Sequence, residues 1–77
     1  NIKVDEDTFK ERLDEGNLIV VNVGPGYFTD NVHFMVITGY DDEGFTINDP
    51  NSIIKSNTHW QFERLSSQIR AAWRMFV

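Results

Sequence analysis

Two strand-like runs separated by four turn-forming residues constrain this chain more than any other feature. From His33 to Tyr40 the run His-Phe-Met-Val-Ile-Thr-Gly-Tyr is rich in β-branched and aromatic residues, and from Phe45 to Asp49 the run Phe-Thr-Ile-Asn-Asp alternates apolar with polar. Asp41, Asp42, Glu43 and Gly44 lie between them, and Gly44 is the position that takes positive φ without a steric cost. The stretch from His33 to Pro50 therefore predicts a β-hairpin.

Register decides whether the histidine at one end of this hairpin meets the aspartate at the other, because a slip of one residue turns a side chain to the opposite face. With Tyr40 set against Gly44, Asp49 falls opposite Met35 and His33 becomes its diagonal neighbour. Diagonal neighbours lie roughly 7 to 8 Å apart at Cα, within reach of side chains that lean together. A carboxylate there accepts the Nδ1 proton, fixes the ring and favours its charged form, leaving Nε2 to exchange a proton with a nucleophile. A purely structural reading uses the same residues: His33 caps a loop, and Asp49 forms a turn before Pro50.

The remaining elements follow in order. Asp5 to Glu15 predicts a helix with acidic residues in its first turn, Thr8 and Glu11 spaced as a capping box, and Gly16 as the terminating glycine. Phe9 and Leu13 share one face, and Glu6 and Lys10 form an i,i+4 pair on another. Leu18 to Val23, Leu-Ile-Val-Val-Asn-Val, predicts a central strand covered on both faces. Gly24-Pro25-Gly26 opens a surface loop to Val32, in which Tyr27 and Phe28 either line a cleft beside His33 or pack on their own loop, and Asp30 and Asn31 form turns. Asn51 to Thr58 reads as a polar loop anchored by Trp60 and Phe62, with His59 an exposed loop histidine. Leu65, Ile69 and Ala72 recur at helical spacing, so Phe62 or Glu63 to Ala71 reads as a second helix, Arg64 and Arg70 lying on its solvated faces. Trp73 to Val77 reads as a last strand. The order is that of a single α+β unit over residues 1–77, an antiparallel sheet with flanking helices.

Charge and composition narrow the function classes. Seven basic residues against twelve acidic ones give a formal charge of −5, which repels phosphate backbones and argues against a nucleic-acid partner. The longest apolar run is far too short for a membrane span. Without cysteine there are no thiolate metal sites, two histidines show no ligand-like spacing, and no cofactor or metal is expected. A chain that opens at Asn1 without an apolar signal region reads as a piece of a longer protein.

The segments LIVVNV, HFMVITGYD, INDPNS and SNTHWQFERLSSQI occur in an order that resembles the C-terminal half of papain-like cysteine peptidases of the bacteriocin-processing, double-glycine leader type, from Leu18 to Trp73. Val32 stands where that family carries a glycine before the histidine. The resemblance implies that His33 is the base and Asp49 the orienting acid of a Cys/His/Asp triad hydrolysing peptide bonds. It also implies that the nucleophile and an oxyanion-hole Gln lie upstream, in a Cys-bearing N-terminal part absent from these residues. The partners it implies are that part and a peptide or protein substrate, and apolar surface left uncovered would favour self-association. A bacterial extracellular or cell-envelope location is expected on the same ground. Serines do not replace the thiol here, since Ser52 and Ser56 fall in a loop suited to local backbone hydrogen bonds; alone, the chain is expected to be inactive. The alternative is a catalytically silent peptide-binding or interaction module on the same fold.

Overall fold

The computed structural model describes residues 1–26, 31–49 and 52–76. Its elements are α1 (Glu6–Asp14), β1 (Leu18–Val23), β2 (His33–Asp41), β3 (Gly44–Asn48), α2 (Ile53–Ser56), α3 (Phe62–Ser66) and β4 (Ile69–Met75). The strands form one antiparallel sheet in the order β3-β2-β1-β4, so the architecture is α+β as the sequence predicts. The placement of Tyr27, Phe28 and Asp30 lies outside the described residues.

Alternation sorts the side chains of the sheet. Ile19, Val21 and Val23 from β1, Met35 and Ile37 from β2, Phe45 and Ile47 from β3 and Ala72 from β4 are buried together with Phe9, Trp60 and Leu65. Phe9 meets Phe45 and Phe62 edge-on, at centroid distances of 6.3 and 5.7 Å, which joins α1 and α3 to the hairpin through ring contacts. The opposite face is thinner: Leu18, Val20, Val36 and Trp73 are half-buried and Phe34 is exposed.

The α1 cap differs from the expected one. Asp5, in extended conformation, accepts the Thr8 amide at 3.1 Å and its hydroxyl at 3.0 Å, so Thr8 lies inside the helix and Glu11 takes no part in the cap. These bonds hold the Asp5 carboxyl below its ordinary pKa. Gly16 ends the helix at φ +90°, and Lys10 pairs with Glu6 at 3.1 Å, both as the sequence predicts.

Three further boundaries differ. The polar segment after Asn51 contains the short helix α2, nucleated by Ser52, whose side chain accepts the Lys55 amide at 3.1 Å. Helix α3 stops at Ser66, and the chain enters β4 at Ile69, so Ile69 to Ala71, read as helical from their spacing, are extended. The free edge of β1 accounts for this: β4 pairs with it from Leu18↔Met75 to Val23↔Ile69, and six such pairings outweigh a local helical preference. Arg70 accordingly packs against Gly24, where a Cβ would lie 2.6 Å from its Nε, and Arg64 stacks 5.3 Å over the Trp60 ring.

The hairpin turn is tighter than the alternation suggests. Asp41 pairs with Gly44 and Tyr40 with Phe45, one residue out from the expected frame. A bulge at Thr38, between Gly39↔Thr46 and Ile37↔Ile47, absorbs that residue, and beyond it the pairing returns to the expected frame. Carried one residue past Val36↔Asn48, this frame sets Asp49 against Met35.

Candidate active site

Asp49 follows directly from β3, whose odd-numbered residues Phe45 and Ile47 point into the core, and the same alternation carries its side chain inward. His33 opens β2 opposite Val23, on the face that holds Met35 and Ile37. The two side chains meet at the open end of the hairpin. His33 Nε2 stands 3.7 Å from Asp49 Oδ1, with the imidazole 13% exposed and the carboxylate fully buried. That separation is longer than a hydrogen bond.

The ring is turned the other way from the expectation: Nε2, not Nδ1, faces the carboxylate. Strand register fixes the face from which a side chain leaves the sheet, but rotation about χ2 selects the nitrogen, and no strand pattern reports it. With Nε2 toward Asp49, Nδ1 is the ring nitrogen turned away from the carboxylate.

The backbone of Asp49 is held after the ladder ends. Its amide donates to Ser56 Oγ at 2.8 Å, and its carbonyl accepts the Ser52 amide at 3.1 Å. The Ser56 hydroxyl lies 2.9 Å from the Ser52 carbonyl and 3.2 Å from the Asp49 carbonyl, either of which can take its proton. Trp60 Nε1 donates to the Lys55 carbonyl at 3.1 Å, while the Trp60 backbone exchanges two hydrogen bonds with Phe45. Sequence reasoning placed Ser56 among local backbone contacts without seeing that their object is Asp49. The available signal was Ser52, three residues before Lys55 in the pattern of a helix cap, which makes Ser56 the close of a helical turn.

A second histidine has acidic neighbours at the other end of the hairpin. His59 Nε2 lies 3.0 Å from Asp41 Oδ2, and its Nδ1 lies 3.5 Å from Glu43 Oε2. Asp41, Glu43 and His59 could each offer a ligand atom to a cation, those atoms lying within 4.8 Å of one another on the exposed surface. Each ring nitrogen faces a different carboxylate, so the imidazole bridges the two acids. Next to it Tyr40 donates to Asp14 at 2.8 Å, which holds its phenol above the ordinary pKa and ties β2 to α1.

Among the described residues no helix is long and apolar enough to cross a membrane. The model of the family described as Peptidase_C39 like family matches residues 1–77. No curated protein and no solved structure matches the chain. A family match over every residue, on an antiparallel sheet that brings His33 and Asp49 together, leads to one conclusion: the chain belongs to the Peptidase_C39 like family, a cysteine-peptidase-related domain.

Proposed function

We propose that this chain supplies the His/Asp half of a cysteine-peptidase site, with His33 as base and Asp49 as the acid that orients it. The observation that carries the reading is the pairing of a nearly buried imidazole with a fully buried carboxylate at 3.7 Å. Perturbed or partnered ionisable groups in sheltered positions are what acid–base chemistry requires. The thiol comes from outside these residues, since the sequence has no cysteine.

In this reading the thiol gives its proton to His33 Nδ1, and the thiolate attacks the carbonyl carbon of a peptide bond. The imidazolium then returns the proton to the departing amine nitrogen as the C–N bond breaks, leaving a thioester. Water, deprotonated by the same nitrogen, attacks the thioester and releases the acid and the free thiol. Asp49 keeps Nε2 engaged throughout, so the ring presents Nδ1 in one orientation.

Native and denaturing mass spectra of one preparation, with and without iodoacetamide, test whether a thiol-bearing companion accompanies the chain. In the polypeptide that unites the two parts, His33→Ala should lower peptide hydrolysis by about 10²–10⁴-fold, the usual weight of a general base. Hydrolysis unchanged by that substitution would contradict the reading and favour a silent binding module.

A further inference from the structure

We infer that Ser56 is a positioning residue for Asp49: its hydroxyl, accepting the Asp49 amide proton, sets the direction in which the buried carboxylate meets His33. The inference rests on the reading of His33 and Asp49 as a working pair and adds to it the group that holds the acid in place.

The need for such a group follows from the end of the strand. Asn48 is the last residue of β3 in register with β2, so the ladder gives Asp49 no partner strand to fix its amide. A sheltered backbone N–H past the end of a ladder must find its acceptor outside the ladder. Ser56 provides that acceptor at 2.8 Å from the Asp49 amide, and its own proton is taken by a carbonyl at 2.9 or 3.2 Å. Donor and acceptor capacities of the hydroxyl are thus both used, which fixes its rotor as well as its position.

The attachment is rigid because it closes on itself. From Asp49 it passes through Ser56 into α2, from Lys55 to the indole of Trp60, and from the Trp60 backbone to Phe45 at the start of β3. The buried Trp60 anchors this ring to the core. Helix α2 adds nothing to the core itself, since Ile53 and Ile54 are 81% and 80% exposed and none of its residues is buried. The helix is tied down here by polar bonds, and its last residue bonds the Asp49 amide.

The test uses the 77-residue chain and reads the imidazole of His33 by long-range 1H–15N correlation at pH 8.5, with His59→Asn to assign it. The wild-type ring should carry its proton on Nε2, and that proton should exchange slowly. Asp49→Ala should speed the exchange about tenfold, because it removes the buried carboxylate that faces Nε2 and opens that side of the ring to water. Ser56→Ala should speed it several-fold with the carboxylate still present. Ser56→Thr, which keeps the hydroxyl, should restore the wild-type signal, and Ser52→Ala, which removes only the cap of α2, should change it less than Ser56→Ala. A merely structural serine would leave the Nε2 proton unmoved, so an unchanged signal in Ser56→Ala beside a changed one in Asp49→Ala overturns the inference alone. An unchanged signal in Asp49→Ala overturns the pairing of His33 with Asp49 itself. Independently of any variant, the Asp49 amide of the wild-type chain should exchange at least about tenfold more slowly than an unprotected amide; rapid exchange would also overturn the inference.

Discussion

The two histidines of this chain each sit beside a carboxylate, at opposite ends of one hairpin, and the closer pair has the weaker claim to chemistry. His59 lies 3.0 Å from Asp41, with side chains 33% and 53% exposed, whereas His33 lies 3.7 Å from an Asp49 that solvent does not reach. Water and salt screen the first pair, so its charges gain little from proximity. The second pair interacts through a less polarisable medium, where its orientation counts for more. Burial, not distance, therefore distinguishes the candidate site from a surface ion pair. The two ends also differ in what holds them: backbone geometry at the turn, side chains and the Ser56 bond at the open end.

Gly44→Ala should have the largest effect on stability. Gly44 has φ +135°, and a Cβ there would lie 2.6 Å from the Trp60 carbonyl oxygen. Strain and overlap with backbone together should cost about 4 kcal/mol in urea unfolding. A cost below about 1 kcal/mol would show that the turn is not held by its backbone.

Asp49→Ala should come next, at about 3 kcal/mol, because it removes one partner of a buried pair. Asp41→Ala, at the turn end, should cost no more than about 0.5 kcal/mol. Double-mutant cycles sharpen the contrast: His33 with Asp49 should couple by more than about 1 kcal/mol, and His59 with Asp41 by less than about 0.5 kcal/mol. Raising the salt to molar concentration should abolish the second coupling and leave most of the first. Equal couplings would remove the distinction between the two ends.

What could be read from the sequence and what could not separate along physical lines. The run Leu18–Val23, between Gly16-Asn17 and Gly24, marks the central strand and its ends, although one of the two faces expected to be covered is only half-buried. Alternation along β3 placed Asp49 inside, and this survived a turn one residue tighter than expected because the bulge at Thr38 restored the frame. At that bulge Thr38 Oγ1 lies 3.0 Å from Thr46 Oγ1, a cross-strand contact that no local pattern contains. A last strand is legible from Trp73 onward, but the first residues of β4 are not, for a similar reason: Leu65, Ile69 and Ala72 satisfy a helical period, and the unpaired edge of β1 decides otherwise. The nitrogen that faces Asp49 is set by a side-chain torsion, which lies below the resolution of any residue pattern.

The smallest expected effect lies far from the hairpin and serves as a reference. The Asp5 carboxyl, with its pKa lowered by the Thr8 bonds, stabilises the fold above the unfolded value of about 3.9, and this contribution is lost as pH falls through the lower folded value. Asp5→Ala should therefore lower the melting temperature slightly at pH 7 and by less at pH 2. A loss of equal size at pH 2 would mean that the carboxylate bonds are not its source.

The most direct test of the central claim is the rate at which the thiol of the united polypeptide reacts with iodoacetamide at pH 6, with and without His33→Ala. An ordinary thiol of pKa about 8.5 is almost wholly protonated there, whereas one paired with an imidazolium is thiolate. The account predicts a reaction at least about tenfold faster than that of a free thiol, falling to the free value in His33→Ala. A slow reaction that His33→Ala leaves unchanged would mean that the His33–Asp49 pair does not serve a thiol, and the cysteine-peptidase reading would be wrong.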